Sequence, residues 1–298
     1  MTSTPLSLGQ RASELTIGDA FGSDLTRVSC VNISHRRDAW VATIMCAQYL
    51  ESVIDSIVVR DDEFAPVGII GGFDILSYLR KNPSKNALYE TSVSEIMFRD
   101  LFRIENKDST LGGVIETWRR LGRAFAIVPN EYGDFSSLSA RRMLEVGTRY
   151  NFDFTVDSIS KKKAITFERD SNLGNILEVM FQNRTRKLLL EGTSTYLSDR
   201  LILASIAKLL NSQKDIDNFF EIPVDQLDLE TVESVQPETS FSELCYIMNS
   251  MEHPYVKCGD AIITSWDVCT ALLTASFTEH TPWVEEESPT EPEDSYIT

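Results

Sequence analysis

Hydrophobic positions recur along this chain at the spacing of amphipathic helices. In four segments, apolar residues fall at i, i+3, i+4 and i+7, which places them on one helix face. The four sets are Ala42, Met45, Cys46 and Tyr49; Leu111, Val114, Ile115 and Trp118; Leu173, Ile176, Leu177 and Met180; and Phe241, Leu244, Cys245 and Met248. Short apolar runs typical of buried strands precede and follow each set. Each segment therefore predicts the order strand, helix, strand, strand, helix.

The start of each second helix recurs at a regular interval. The last residues before these helices are predicted to be Gly71, Ser139, Ser198 and Thr264, which stand 59 to 68 residues apart. This spacing indicates one supersecondary unit of about sixty residues, repeated four times. Each unit forms a three-stranded sheet with helices on one face, which leaves the other face apolar. We therefore expect the units to pair.

The predicted fold class is α/β (α+β), with four tandem β-α-β-β-α repeats paired into two pseudo-twofold modules. The divisions are an N-terminal extension (1–14), the four repeats (15–80, 91–148, 153–210 and 230–276), an insert (211–229) and an acidic tail (279–298). The insert contains Phe219 and Phe220, and is therefore expected to pack on a neighbour. The tail has seven acidic residues and no Lys or Arg, a composition typical of disorder.

Charge and composition exclude several classes of function. The 28 basic and 45 acidic residues give a net charge of −17, which disfavours binding to nucleic acid or to an anionic membrane. No apolar run reaches the length of a membrane span, and residues 1–10 do not resemble a secretory signal, so a soluble cytoplasmic protein is expected. Five cysteines without CxxC spacing and three scattered histidines indicate no metal site. We also find no catalytic motif, so we expect neither enzymatic activity nor a required cofactor.

Four segments, which occupy matching positions in the repeats, resemble cystathionine-beta-synthase (CBS) domains. They are residues 93–97 (VSEIM), 197–200 (LSDR), 235–239 (VQPET) and 263–267 (ITSWD), and the resemblance covers about residues 17–276. It implies two modules of paired repeats, which often stack into a disc. Four repeats allow one chain to close that disc, and pairing through the modules would alternatively give a homodimer.

The same resemblance implies an adenosyl ligand, such as AMP, ADP, ATP or S-adenosylmethionine, in a cleft between paired repeats. In CBS domains a Ser or Thr lies near the phosphate, and an Asp three residues later holds the ribose hydroxyls. The fourth repeat has both, as Thr264 and Asp267, with Ile262 on the preceding strand. The first repeat keeps Asp74 but has Gly71 in place of the hydroxyl.

The other two repeats have lost the aspartate. The second has Ser139 but Arg142 three residues later, and the third has Ser198 followed by Leu201. Neither Arg nor Leu can accept the hydrogen bonds of a diol. Each module is therefore expected to have at most one competent site.

Every candidate residue has an alternative interpretation. Thr264 and Asp267 also fit a capping box that only starts a helix, and Asp74 fits a helix-cap acid. Arg142 is expected either to reach a phosphate in the cleft or to remain on an exposed helix face. His253 is interpreted equally as a phosphate contact or as part of a turn with Pro254.

The predicted function is a regulatory protein that binds an adenosyl nucleotide near Asp267 and signals its occupancy to a partner protein. Such signalling is ordinary linkage, because a ligand that favours one geometry of the repeats changes partner affinity by the same coupling energy. The alternative is a ligand-free CBS scaffold for protein interaction.

Overall fold

The computed structural model describes residues 10–48, 56–159, 162–212 and 216–279. Within these ranges it contains eleven α-helices and fifteen strands. No helix in the described ranges combines the length and the apolar content that crossing a bilayer requires. Tyr49 of the first predicted helix stripe lies outside the described residues, as does the predicted acidic tail beyond Glu279.

The first repeat follows a short helix, α1 (Ile17–Phe21), and has the predicted order of elements. Its elements are β1 (Asn32–Ser34), α2 (Ala39–Gln48), β2 (Ile57–Arg60), β3 (Pro66–Ile70) and α3 (Gly72–Leu79). The central strand, β2, pairs in parallel with β1 and antiparallel with β3. Two short helices, α4 (Lys85–Glu90) and α5 (Val93–Ile96), lead to the second repeat.

The second repeat has one strand fewer than predicted. It consists of α6 (Leu111–Leu121), β4 (Phe125–Pro129), β5 (Phe135–Ser139) and α7 (Met143–Arg149). The segment expected to form its first strand, residues 101–104, makes only a single parallel bridge, between Arg103 and Ile127. Helix α6 begins after Thr110, whose side chain accepts a hydrogen bond from Gly113 N, as a helix-capping threonine does.

The third and fourth repeats exchange strands, which enlarges their sheets. In chain order the elements are β6 (Asn151–Phe152), β7 (Lys162–Lys163), β8 (Thr166–Phe167), α8 (Leu173–Gln182), β9 (Lys187–Leu190), β10 (Thr195–Ser198), α9 (Asp199–Asn211), β11 (Glu230–Thr231), β12 (Glu233–Ser234), α10 (Phe241–Ser250), β13 (Tyr255–Cys258), β14 (Ala261–Thr264), α11 (Ser265–Leu272) and β15 (Phe277–Glu279). Strand β7, near the start of the third repeat, pairs with β14 of the fourth, and β11, at the start of the fourth, pairs with β10 of the third. The resulting sheets have four strands, in the orders β11-β10-β9-β8 and β12-β13-β14-β7. Three strands per sheet were predicted, because strand exchange between repeats leaves no trace in local periodicity.

Contacts between the repeats form a closed ring within one chain. The sheets of repeats 1 and 2 share a small core of Val58, Ile69, Phe125 and Ile127. Helix α2 packs on α9, and α7 on α10, so one large core joins repeats 1 and 3 and another joins repeats 2 and 4. The two modules therefore stack through their helices, as the disc arrangement requires.

Each segment that enters a repeat packs on the partner repeat, at the start of that partner's first helix. The backbone pairs are Leu111 N to Leu15 O at 2.8 Å, Val93 N to Arg37 O at 2.7 Å, Val156 N to Thr239 O at 2.9 Å and Val224 N to Ser171 O at 3.1 Å. Residues 15–26, assigned to the first repeat by sequence, thus pack on the second. In the insert, Phe219 is fully buried and its N–H donates to Pro83 O at 2.7 Å.

Candidate functional site

The junction between β14 and α11 is a capping box. Thr264 has extended dihedral angles, and one carboxylate oxygen of Asp267, Oδ2, accepts hydrogen bonds from Thr264 N at 2.8 Å and Thr264 Oγ1 at 2.7 Å. These bonds satisfy groups that a helix start would otherwise leave unpaired. The capping interpretation of this sequence is therefore correct at the local level.

The same junction also faces a cleft of about 370 Å³ between the third and fourth repeats. Thr264, Asp267, Ile262, Ser198 and His253 all line it, so five of the nine candidate residues meet in one place. We call this space the Asp267 cleft. Its volume is within the range of pockets that bind small molecules, about 300–1,000 Å³.

The lining of the Asp267 cleft is basic, although the chain as a whole is acidic. Seven lining residues are Lys or Arg and three are Asp or Glu. The basic residues are Arg141, Lys162, Lys163, Arg184, Arg186, Lys187 and Arg200. Lys162, Lys163 and Arg184 form no salt bridge with any described residue. A surface of this kind concentrates positive potential and attracts an anionic ligand.

Asp267 retains a carboxylate oxygen that can bind a ligand. Its residue is 7% exposed, and Oδ1 accepts no hydrogen bond from another described residue. Burial raises the pKa of this carboxyl, while the hydrogen bonds from Thr264 and the charge of Lys162 act in the opposite direction. A half-satisfied, buried carboxylate beside an open cleft can accept hydrogen bonds from a hydroxyl-bearing ligand.

His253 lines the cleft and has a buried polar atom without a hydrogen-bond partner. The residue is 7% exposed, and its Nε2 has no hydrogen-bond partner, although Glu230 Oε1 lies 3.7 Å away. Burial is the main cause that lowers the pKa of His253, to about 4, so the imidazole is neutral at pH 7. A neutral imidazole can donate one hydrogen bond or accept one, depending on its tautomer.

Two of the basic lining residues are fixed by neighbouring groups. Arg186 pairs with Asp199, its Nε and one terminal nitrogen lying 2.9 and 2.8 Å from Asp199 Oδ2. Asp199 is the first residue of α9 and lies against Gly72 at the start of α3, where an added Cβ would lie only 2.6 Å from Asp199 Oδ2. The Lys187 ammonium lies 4.7 Å from the ring centroid of Tyr255, a cation–π distance. The cleft is thus tied to the first module through Asp199.

Arg142 does not line the Asp267 cleft, and its expected contact with phosphate from the second repeat stays a prediction. Its Nε donates to Glu145 Oε1 at 3.0 Å, and a terminal nitrogen donates to Asp24 O at 3.4 Å. The preceding residue, Arg141, lines the cleft and donates to the carbonyls of Met251 and Glu252 in the fourth repeat. A turn at residues 140–142 delays the start of α7 to Met143, so the two adjacent arginines contact different groups.

The corresponding junction of the first repeat is closed by an ion pair. Asp74 Oδ2 accepts a hydrogen bond from Gly71 N at 2.8 Å and pairs with Arg123 of the second repeat. Gly71 has an extended conformation, with φ −136° and ψ 178°, so no left-handed backbone explains its glycine. The Asp74 carboxylate thus already has a cationic partner. The expectation of a second competent site at Asp74 stays a prediction.

The two serine candidates differ in position. Ser198 Oγ accepts a hydrogen bond from Leu201 N at 3.2 Å, which caps α9, and the residue lines the cleft. Ser139 is 1% exposed at the end of β5 and does not line the cleft. Four basic residues at these junctions were not predicted from the sequence, namely Arg141, Lys162, Lys163 and Arg123. Each lies far along the chain from the junction that it contacts, and no regular spacing in the sequence connects the two.

Comparisons with known proteins connect this geometry to a fold. A scan against protein-family models and a search of curated proteins found no match. Among solved structures, protein MJ1225 from Methanocaldococcus jannaschii, proposed to be an archaeal homologue of g-AMPK, has a TM-score of 0.66 at 15% identity. The match covers 82% of this chain and 96% of that protein.

Shorter structures match part of the chain. The CBS-domain protein ATU1752 from Agrobacterium tumefaciens is 20% identical over 42% of this chain and 88% of its own, with a TM-score of 0.34. CBSX2, solved in complex with AMP, is 19% identical over 42% of this chain and 89% of its own, with a TM-score of 0.30. The four repeats, the two paired modules and the closed ring of contacts confirm the fold predicted from sequence. The chain therefore has the fold of CBS-domain proteins, built as four tandem repeats.

Proposed function

We propose that this protein is a regulatory sensor that binds an adenosyl nucleotide in the Asp267 cleft and transmits occupancy to a partner protein. The observation that carries this proposal is the combination of Asp267 Oδ1, free to accept hydrogen bonds, with seven basic residues around one cleft. A ribose diol fits the carboxylate, and a phosphate fits the basic lining.

The fold supports this assignment. CBS domains, which the sequence resembles, commonly bind adenosyl ligands between paired repeats. The similar archaeal structure belongs to a proposed homologue of g-AMPK. The cleft also contacts the first module through Arg141 and Asp199, so ligand binding can change the packing of one module on the other.

The ion pair between Asp74 and Arg123 favours a different role for the first module. A cleft whose carboxylate already has a cationic partner needs no ligand to be stable. We propose that the first module serves as an interaction scaffold, while the second binds the ligand.

The test is calorimetry and thermal unfolding with AMP, ADP, ATP and S-adenosylmethionine. At 100 times the dissociation constant, a ligand stabilises its protein by about 2.7 kcal/mol. We expect at least one ligand to stabilise the wild-type chain, and Asp267→Asn to weaken its binding at least tenfold.

Asp74→Asn is the matched control, because Asp74 occupies the same capping position in the first repeat. It should leave the affinity at the Asp267 cleft unchanged. The proposal fails if none of the four ligands binds, or if the two variants lower affinity equally.

A further inference from the structure

The first module ends in two hairpin tips with the same backbone conformation. The tips are residues 61–65, between β2 and β3, and residues 130–134, between β4 and β5. In the first tip, Asp61 Oδ1 accepts hydrogen bonds from the backbone N–H groups two and four residues later, at 3.0 and 2.9 Å. Asn130 Oδ1 accepts the same two bonds in the second tip, at 3.0 and 2.9 Å. The two tips can therefore be compared position by position.

Phe64 occupies a position where its counterpart is glycine. Gly133, three residues after Asn130, has φ 74°, and Phe64, three residues after Asp61, has φ 63°. A positive φ is sterically unfavourable for a bulky residue but not for glycine, which has no Cβ. The Phe64 side chain gains little burial in return, because the residue is 76% exposed. A strained residue whose side chain adds little buried surface to the fold indicates a functional role, such as contact with another molecule.

A single arginine holds the two tips together. Arg60 donates to Phe64 O at 3.1 Å and pairs with the carboxylate of Asp134 in the other tip. Its side chain is 13% exposed. The bridge joins the tip that carries Phe64 to the tip that carries Tyr132, which is 66% exposed.

A third exposed apolar residue lies at the same place. Asn130 Nδ2 donates to Ser29 Oγ at 3.2 Å, which brings Val28, 65% exposed, beside the second tip. Three of the five large apolar residues found exposed in the described ranges thus cluster here. We call the surface formed by Val28, residues 61–65 and residues 130–134 the hairpin platform. Clustered exposed apolar groups on a rigid support are typical of a protein-binding surface.

The described residues of the second module form no comparable feature. Its hairpins turn at Gly192 and Gly259, with φ 70° and 59°. Neither turn requires a strained side chain, and neither exposes a large apolar residue. The platform is therefore specific to the module whose cleft is closed by Asp74 and Arg123.

Charge determines which partner fits. The two tips contain Asp61, Asp62, Glu63, Glu131 and Asp134 and no Lys or Arg. Arg36 pairs with Asp62 and Arg60 with Asp134, so the remaining three acidic groups have no cationic partner among the described residues. A second copy of this chain, with net charge −17, would bring like charge against this surface. A basic segment would instead complement the acidic tips and place Lys or Arg side chains over exposed aromatic rings.

We propose that the hairpin platform is the docking site for a basic, apolar segment of a partner protein, with Phe64 and Tyr132 as its anchors. This assignment concerns the first module and stands whether or not the Asp267 cleft binds a nucleotide.

The test is selection of binding peptides from a random 12-residue display library on the full chain. Counter-selection uses the double variant Phe64→Gly, Tyr132→Ser. The glycine copies the residue of the equivalent tip, so this variant should fold and melt at the same or a higher temperature. The control is Tyr246→Ser, which removes an aromatic residue that is 71% exposed on α10.

We expect Lys- and Arg-rich peptides that bind the wild-type chain and the Tyr246→Ser chain equally. Their affinity for the double variant should be at least tenfold weaker, and added salt should weaken binding. The proposal is overturned if no peptide distinguishes wild type from the double variant, or if the selected peptides are acidic. It is also overturned if sedimentation shows self-association that depends on Phe64.

Discussion

Arg123 of the second repeat pairs with the carboxylate of Asp74 in the first, at the place where the second module leaves Asp267 open to a cleft. Both aspartates cap a helix through the same backbone N–H. They differ in whether the partner repeat supplies a cation that pairs directly with the carboxylate. Arg123 pairs with Asp74, whereas Lys162 acts on Asp267 through its charge and forms no salt bridge with a described residue.

Removing the closing cation should destabilise the protein. The Arg123 and Asp74 side chains are 17% and 16% exposed, so Arg123→Gln leaves a largely buried carboxylate without its charged partner. We expect a loss of about 1–3 kcal/mol in the free energy of unfolding, measured by urea denaturation. Arg119→Gln removes an exposed pair with Glu116 and should cost less than about 1 kcal/mol. Equal losses in the two variants would contradict the importance of the closing pair.

Acid should weaken the fold through His253. Its pKa is about 4 in the folded protein, against 6.5 as its ordinary value. Between these values the unfolded chain binds more protons, so stability is fully present above pH 6.5 and declines as the pH falls toward 4. At pH 5 the loss from this residue is about 2 kcal/mol.

The charged groups around His253 are of both signs, namely Glu230, Lys187, Arg200, Asp199 and Glu252. The contribution of the imidazole is measured as the difference between the melting temperatures at pH 7.5 and pH 5.0. This difference should be smaller in His253→Asn than in the wild-type chain, and unchanged in the control His35→Asn. A His253→Asn chain with the full wild-type pH dependence would refute this assignment.

The contact between α7 and α10 depends on a glycine. A Cβ at position 147 would lie 2.1 Å from Cys245 Sγ, so Gly147→Ala forces apart the helices that join repeats 2 and 4. We expect a loss of about 1–3 kcal/mol in unfolding free energy, recovered in part by adding Cys245→Ala. Gly113→Ala in α6 is the control, since its nearest neighbour would be Thr110 Oγ1 at 3.3 Å. Failure of the Cys245→Ala change to restore stability would show that the clash lies elsewhere.

Arg141 and Arg142 are adjacent but should act differently, a prediction that rests on the proposed function. Arg141→Gln removes hydrogen bonds to the carbonyls of Met251 and Glu252, beside the cleft lining. Its nucleotide affinity should fall about tenfold, because the end of α10 and His253 lose their support. Arg142→Gln breaks the pair with Glu145, outside the cleft, and should lower the melting temperature without changing affinity. Calorimetry on both variants measures the contrast, and equal affinities would exclude a positioning role for Arg141.

The number of repeats and the order of their helices and strands can be predicted from local sequence patterns alone. The apolar residues at helical spacing and the short apolar runs of the strands are local patterns. Their spacing alone predicts which residues lie on buried faces. Leu173, Ile176, Leu177 and Met180 are all buried in the structure, as their spacing predicted. The capping box at Thr264 and Asp267 is equally local, since both residues belong to one helix turn.

Which carboxylate receives a cationic partner depends on the packing of one repeat on another. Arg123 closes the Asp74 junction from 49 residues away, and Arg141 reaches the carbonyls of Met251 and Glu252 across 110 and 111 residues. Strand exchange between repeats brings Lys162 beside Ile262 in the same way. These contacts arise from the packing of one repeat on another, and side chains that meet through such packing carry no periodic signal along the chain. The sequence therefore identified four similar junctions, and long-range packing determines which side chains meet at each of them.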